Sequence, residues 1–275
     1  MRMMVALRQH WPEYLMEAWG LGMFMIAAGV VSTLLFYPNS PIHQMLPNPF
    51  IERVFMGLAM GLTAMGIMYS PWGKQSGAHI NPAVTLTFYR LGKIHYWDAF
   101  FYIGFQFIGG LLGVLIVAFF LKQPFIDPPV NYAVTVPGSA GVKAAFAGEF
   151  VIAVIMMGMV LYTSNQQYLA PLTPFFAGCL IFSFVVFESP LSGFGMNPAR
   201  TVASALPSGI WTAIWLYFVA PIAGMLIAAE GYLRIKGKHR VFCAKLFHHP
   251  RYRCIHCGHK CRTARHPMRE KGLFR

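Results

Sequence analysis

Six long apolar stretches, separated by polar or turn-forming residues, dominate the chain: about 12–36, 50–70, 97–121, 144–164, 170–189 and 210–233. Each reaches the roughly 20 residues that a helix needs to cross a bilayer core. None keeps the charged face that a helix on a soluble core presents to water. Loop signals part them: Tyr37-Pro38-Asn39-Ser40-Pro41 after the first, Asp127-Pro128-Pro129 after the third and Ser164-Asn165-Gln166-Gln167 after the fourth. The run from Tyr14 to Phe36 is too long for a cleavable signal core and reads as the first span. The pattern predicts an all-α polytopic membrane protein.

Two further apolar stretches, Val84–Tyr89 and Thr201–Leu206, are far too short to cross. Each follows a related frame, Ser76-Gly77-Ala78-His79-Ile80-Asn81-Pro82-Ala83 in the first case and Ser192-Gly193-Phe194-Gly195-Met196-Asn197-Pro198-Ala199 in the second. Asn is a favoured helix N-cap and Pro a favoured first helical residue, so one copy would mark only an ordinary helix start. Two copies set between spans predict a pair of re-entrant loops, each ending in a half-helix. Three spans lie between Asn81 and Asn197, so the loops enter from opposite faces. The halves, about 12–121 and 144–233, then form inverted repeats with the functional site at their interface near the midplane. The first span of each half carries an acid, Glu17 and Glu149, and a carboxylate inside a span calls for a fixed partner or a role. Both are expected to accept hydrogen bonds from the exposed backbone N–H groups of the re-entrant loops.

Composition supports the class: 56% of the 275 residues are hydrophobic and only 11% charged, too apolar for a soluble domain of this length. The net charge of +13 would suit nucleic acid, but most of the 22 Lys and Arg residues fall after position 233. A basic block outside the last span follows the positive-inside rule, so no nucleic-acid partner is expected. The block can also meet anionic lipid headgroups. Arg2, Arg8, Lys74, Arg90 and Lys93 fall on the same side, which places both termini in the cytoplasm. The chain is expected to divide into a membrane-spanning part, 1–233, and a basic cytoplasmic tail, 234–275.

At the crossing point, two half-helix N-termini each bring about half a positive charge, which repels cations and protons. Asn81 and Asn197 cap those ends, and their side-chain amides are expected to be free to donate into a lumen. Arg200 adds a permanent charge and donors at a constriction. Such a lumen passes neutral hydroxylated molecules and needs no nucleotide, nucleophile or cofactor; enzymatic activity is not expected.

These features resemble the aquaporin family (major intrinsic proteins): the motifs Asn81-Pro82-Ala83 and Asn197-Pro198-Ala199, the Ser-Gly lead-ins, Arg200, and the paired Glu17 and Glu149. The resemblance covers roughly 12–233 and implies a homotetramer in the plasma (cell inner) membrane, one pore per protomer. By position it assigns the selectivity filter to Arg200, Phe194, Val185 and Met60 or Gly61. Phe194 resembles glycerol facilitators, and so does the absence of His between 170 and 191. Thr201 after the Arg, with Tyr217 and Phe218 on the sixth span, resembles water channels. Water is the expected main permeant, with small neutral solutes such as glycerol alongside. The alternatives are a glycerol facilitator with water secondary, and an occluded structural or junctional membrane protein.

The tail holds Cys243, Cys254, Cys257 and Cys261 in a C-x10-C-x2-C-x3-C spacing, interleaved with His248, His249, His256, His259 and His266. Four soft ligands with a C-x2-C knuckle are suited to a structural zinc ion. Free cytosolic thiols and lipid-modified cysteines are the competing readings.

Overall fold

The computed structural model describes residues 2–46 and 48–258. Regular structure among them is helical: Met3–Phe36 (α1), Pro41–Met45 (α2), Pro49–Tyr69 (α3), Pro71–Ser76 (α4), Pro82–Arg90 (α5), Tyr96–Leu121 (α6), Gln123–Ile126 (α7), Gly141–Ser164 (α8), Thr173–Phe187 (α9), Ser189–Ser192 (α10), Pro198–Ser208 (α11) and Leu216–Lys236 (α12), with short 3₁₀ turns between. Six helical segments among the described residues are long and apolar enough to span a bilayer: α1, α3, α6, α8, α12, and Ala170–Phe187, which is α9 with the 3₁₀ turn before it.

Two ends depart from the expected spans. Helix α1 starts at Met3, and its 34 residues make a rod of about 50 Å against a bilayer core of about 30 Å. Its first turns therefore project beyond the apolar zone. Helix α12 starts only at Leu216, because Gly209, in the left-handed region at φ 70°, ends α11, and exposed Trp211 and Trp215 belong to the turns that follow. Apolar residues at 210–215 are surface there rather than helix.

The spans pair as α1 with α6, α8 with α12 and α3 with α9. Small residues bring the backbones together. A Cβ on Gly61 would lie 2.7 Å from the Gly178 carbonyl oxygen, and one on Gly224 would lie 2.6 Å from that of Phe150. In an apolar solvent such close backbone packing replaces the hydrophobic drive between helices. The half-helices cross over between the halves: α5 packs on α12 and α11 packs on α6.

After α12 the chain reverses, and residues 241–257 lie across the face where α1 begins and α12 ends. Val241, Ala244 and Lys245 are at most 1% exposed, so this part of the tail is packed against the bundle.

Candidate functional site

The two loops have matching backbones. Gly77, Ala78 and Ile80 take φ of 106°, 53° and 42°, while Gly193, Phe194 and Met196 take 79°, 55° and 46°. For the non-glycine residues this left-handed conformation is strained, and strain of this kind persists only where surrounding contacts impose it. The two glutamates are those contacts. Glu17 accepts from Ser76 Oγ at 2.7 Å and from His79 N at 3.0 Å with one oxygen, and from Ile80 N at 2.6 Å and Gln106 Nε2 at 2.9 Å with the other. Glu149 accepts from Ser192 Oγ and Gly195 N at 2.6 Å and from Met196 N at 2.5 Å. A third pair completes each loop: Tyr102 Oη donates to the Ser76 carbonyl at 2.7 Å and Tyr217 Oη to that of Ser192 at 2.5 Å. Tyr217 is fully buried in this role, as a support of the second loop.

Each loop ends at an Asn whose carbonyl oxygen caps a half-helix. Asn81 Oδ1 accepts from Ala83 N at 2.9 Å, and Asn197 Oδ1 from Ala199 N and Arg200 N at 3.1 and 3.2 Å. The amide nitrogens reach across the midplane: Asn81 Nδ2 donates to the Met196 carbonyl at 2.8 Å and Asn197 Nδ2 to that of Ile80 at 2.7 Å. The expectation of fully free amides is thus corrected. A primary amide has two N–H donors; one of each pair ties the loops together and one remains for the lumen.

Two cavities meet at this junction. One, of about 80 Å³, is lined by both Asn residues and runs toward the face where α12 ends, where Leu246 of the tail lines it. The other, of about 220 Å³, opens toward the opposite face and is lined by Met60, Val185 and Arg53 among others. Phe24, Phe194 and Arg200 line both. Arg200 is 8% exposed, and its Nη1 has no hydrogen-bond partner among the described residues, leaving a donor for whatever occupies the junction. Met60 faces the larger cavity, whereas Gly61 packs on the Gly178 carbonyl. Sequence reading missed Phe24, although it lies seven residues after Glu17, two helical turns along one face. Met156, seven after Glu149, lines the first cavity by the same logic.

Two further contacts were legible only in the fold. Helix α1 carries a second buried acid, Glu13, which pairs with Arg253 Nη2 at 2.5 Å and accepts from Gln75 at 3.0 Å. His79 Nε2 lies 2.6 Å from the Ala244 carbonyl oxygen. In the tail, one ligand atom each of Cys243, His248, Cys254 and Cys257 lie within 4.8 Å of one another, close enough to share one metal ion. Cys261, the fourth ligand expected from spacing, lies outside the described residues, as do His259 and His266; His248 completes the set among those described. Hydrogen bonds to the Cys254 and Cys257 sulfurs push the His248 imidazole up to about 9, and neighbouring Cys254 also pushes the Cys243 thiol up.

Comparison with known proteins agrees with this architecture. The family described as Major intrinsic protein matches residues 5–232. Aquaporin NIP6-1 of Arabidopsis thaliana is 34% identical over 64% of this chain and 56% of its own length. Aquaporin NIP2-3 of Zea mays is 31% identical over 72% of this chain and 64% of its own. The alignments thus span somewhat under two thirds of these relatives. The X-ray structure of the aquaglyceroporin from Plasmodium falciparum superimposes with a TM-score of 0.66 at 21% identity, over 80% of this chain and 94% of that one, which shows the shared fold.

Proposed function

We propose that this chain, which belongs to the major intrinsic protein family, is a passive channel for water that also admits small uncharged solutes such as glycerol and excludes ions and protons. The observation that carries the reading is the reciprocal crossing of Asn81 and Asn197 beside Arg200, at the junction of two cavities on opposite sides of the protein. Both half-helix dipoles and the guanidinium put positive potential at that point, and desolvation there leaves a cation without compensation. A neutral hydroxyl can instead accept from Arg200 and from the remaining amide protons. A water held by both amides has its hydrogens turned away from them, which interrupts a proton-conducting chain.

We assign the selectivity filter to Arg200 and Phe194, with Phe24 beside them and Met60 and Val185 on the approach from the larger cavity. This lining is mostly apolar and suits a carbon backbone as well as water. Glu17 and Glu149 hold the loops. The basic terminal face is the cytoplasmic one by the positive-inside rule, in the plasma (inner) membrane, and the protein works as a homotetramer with one pore per protomer. The tail cluster holds a structural metal ion, zinc by the softness of its ligands.

The test is stopped-flow light scattering on proteoliposomes, with an impermeant osmolyte and separately with glycerol. Fast shrinkage in the first and reswelling in the second are expected. Shrinkage without reswelling would make the pore water-selective. Rates equal to empty vesicles in both, with the tail metal bound and removed alike, would sink the channel reading and favour an occluded structural protein.

A further inference from the structure

The tail does more than gather four metal ligands. From Val241 to Cys257 it crosses the mouth of the smaller cavity and is bonded to elements on several sides of it. Phe242 N donates to Asn165 Oδ1 at 2.8 Å, after α8. The Ala244 carbonyl meets His79 of the first re-entrant loop, and Leu246 N donates to the Gly77 carbonyl at 3.2 Å. Lys245, buried to 1% exposure, gives its ammonium to the carbonyls of Lys74 at 3.0 Å and Arg253 at 2.6 Å. Arg253 is clamped to Glu13 on α1, and His256 stacks on His79 at a ring separation of 6.0 Å. A buried ammonium satisfied by carbonyls, and a buried carboxylate met by a guanidinium, belong to a fitted interface, since either charge left alone would be costly. At its centre Leu246, 6% exposed, enters the lining of the cavity that holds Asn81 and Asn197.

The metal ligands bracket this plug. Cys243 lies three residues before Leu246 and His248 two after it, while Cys254 and Cys257 close the loop behind. Cys243 and Cys254 sulfurs are 3.4 Å apart and His248 Nε2 is 3.2 Å from Cys257 Sγ. A tetrahedral zinc with bonds of about 2.0–2.3 Å separates its ligand atoms by roughly 3.4–3.8 Å, so closing on an ion takes only small shifts. We propose that a zinc ion bound by Cys243, His248, Cys254 and Cys257 locks the tail across the cytoplasmic mouth, with Leu246 as the stopper, and that loss of the ion opens the pore.

The thermodynamic argument is linkage. The ligands come together in the docked arrangement, so an ion that needs all four binds the docked tail more tightly than a displaced one and shifts the population toward it. Interactions with Asn165, Lys74 and Glu13 then select where the loop docks, and the ion sets how long it stays. This inference rests on the channel reading, because it names a regulator of that same pore.

The experiment uses full-length protein in proteoliposomes. Zinc is counted by plasma mass spectrometry, and osmotic shrinkage is timed before and after a membrane-permeant zinc chelator and again after zinc is restored. The expected result is about one zinc per chain, shrinkage at least about threefold faster on stripping, and recovery on re-addition. Cys257→Ser, at the exposed ligand, is expected to give the fast rate with no response to chelator. Leu246→Gly is expected to give the fast rate with zinc still bound, which separates the stopper from the clamp. Zinc far below one per chain in zinc-supplied protein overturns the clamp. Full zinc with a rate indifferent to stripping and to Leu246→Gly overturns the plug. Shrinkage no faster than empty vesicles in every state overturns the channel reading, while the zinc count still judges the clamp on its own.

Discussion

Asn81 donates its side-chain amide to the carbonyl of Met196, the residue just before Asn197, at 2.8 Å, and Asn197 returns the bond to Ile80 at 2.7 Å. Each Asn thus caps its own half-helix with its oxygen and fastens the opposite loop with its nitrogen. Replacing Asn81 by Asp keeps the cap but sets an oxygen against the Met196 carbonyl. Asn81→Asp is expected to lose about 1–3 kcal/mol of stability and to slow water flux. Thermal unfolding and stopped-flow rates of the same preparation check this, and an unaltered melting midpoint would sink the assignment.

Glu149 meets three donors and Glu17 four, and both oxygens of each carboxylate are in use, so an amide in its place would turn N–H groups toward donors. Glu149→Gln turns one acceptor into a donor facing Met196 N or Gly195 N. A destabilisation of about 2–3 kcal/mol is expected, with Glu17→Gln comparable. Stability equal to the parent chain in both variants would show that the loops hold themselves.

Phe194 and Phe24 border both cavities, whereas Met60 borders only the larger one. Phe194→Ala and Phe24→Ala should therefore raise glycerol flux several-fold, and Met60→Ala should change it little. Equal effects at all three positions would move the constriction toward Met60. Arg200→Ala should admit cations or protons, read as a dye-reported pH leak in vesicles; an unchanged leak would remove Arg200 from the barrier.

Tyr217 tests the loop-support role. Tyr217→Phe removes only the hydroxyl that holds the Ser192 carbonyl, at an expected loss of about 1 kcal/mol and with solute preference unchanged. A shift in the glycerol-to-water ratio would instead place Tyr217 in the lumen. A methyl at Gly195 meets the Tyr217 ring and lies 3.2 Å from a Glu149 oxygen, so Gly195→Ala should cost about 1–3 kcal/mol.

His43, in the connection between α1 and α3, shares its Nδ1 with the Leu35 carbonyl at 2.9 Å and Glu52 at 2.6 Å. The carbonyl first and the carboxylate second raise its pKa above the ordinary histidine value of about 6.5. The sign follows directly: the stabilisation is full below the unfolded value and is lost as pH rises through the folded one. A histidine NMR titration should place the His43 midpoint above that of free imidazole in the unfolded chain, and Glu52→Gln should lower it. A midpoint that Glu52→Gln leaves in place would show that the pair is unimportant.

Six spans, two re-entrant half-helices and their opposed entry were legible in the sequence. Apolar run length measures bilayer crossing directly, and the repeated Ser-Gly frame before Asn-Pro-Ala marks a helix start that cannot reach the far side. Glu17 and Glu149 were legible too, because a carboxylate inside a span needs a reason. Other features depend on residues far apart in the chain. Glu13 finds Arg253 across 240 positions, His79 finds the Ala244 carbonyl across 165, and Phe24 joins Phe194 at the junction of the cavities. No local periodicity encodes such meetings; they follow from how the halves interlock. The metal ligands show the division most plainly. Cysteine spacing announced a knuckle, but whether Cys261 or His248 completes it depends on the path of the returning tail. That path is set by contacts on the channel itself, where Lys245 finds the Lys74 carbonyl and Arg253 finds the Gln9 carbonyl and the Glu13 carboxylate, groups that only the folded bundle presents.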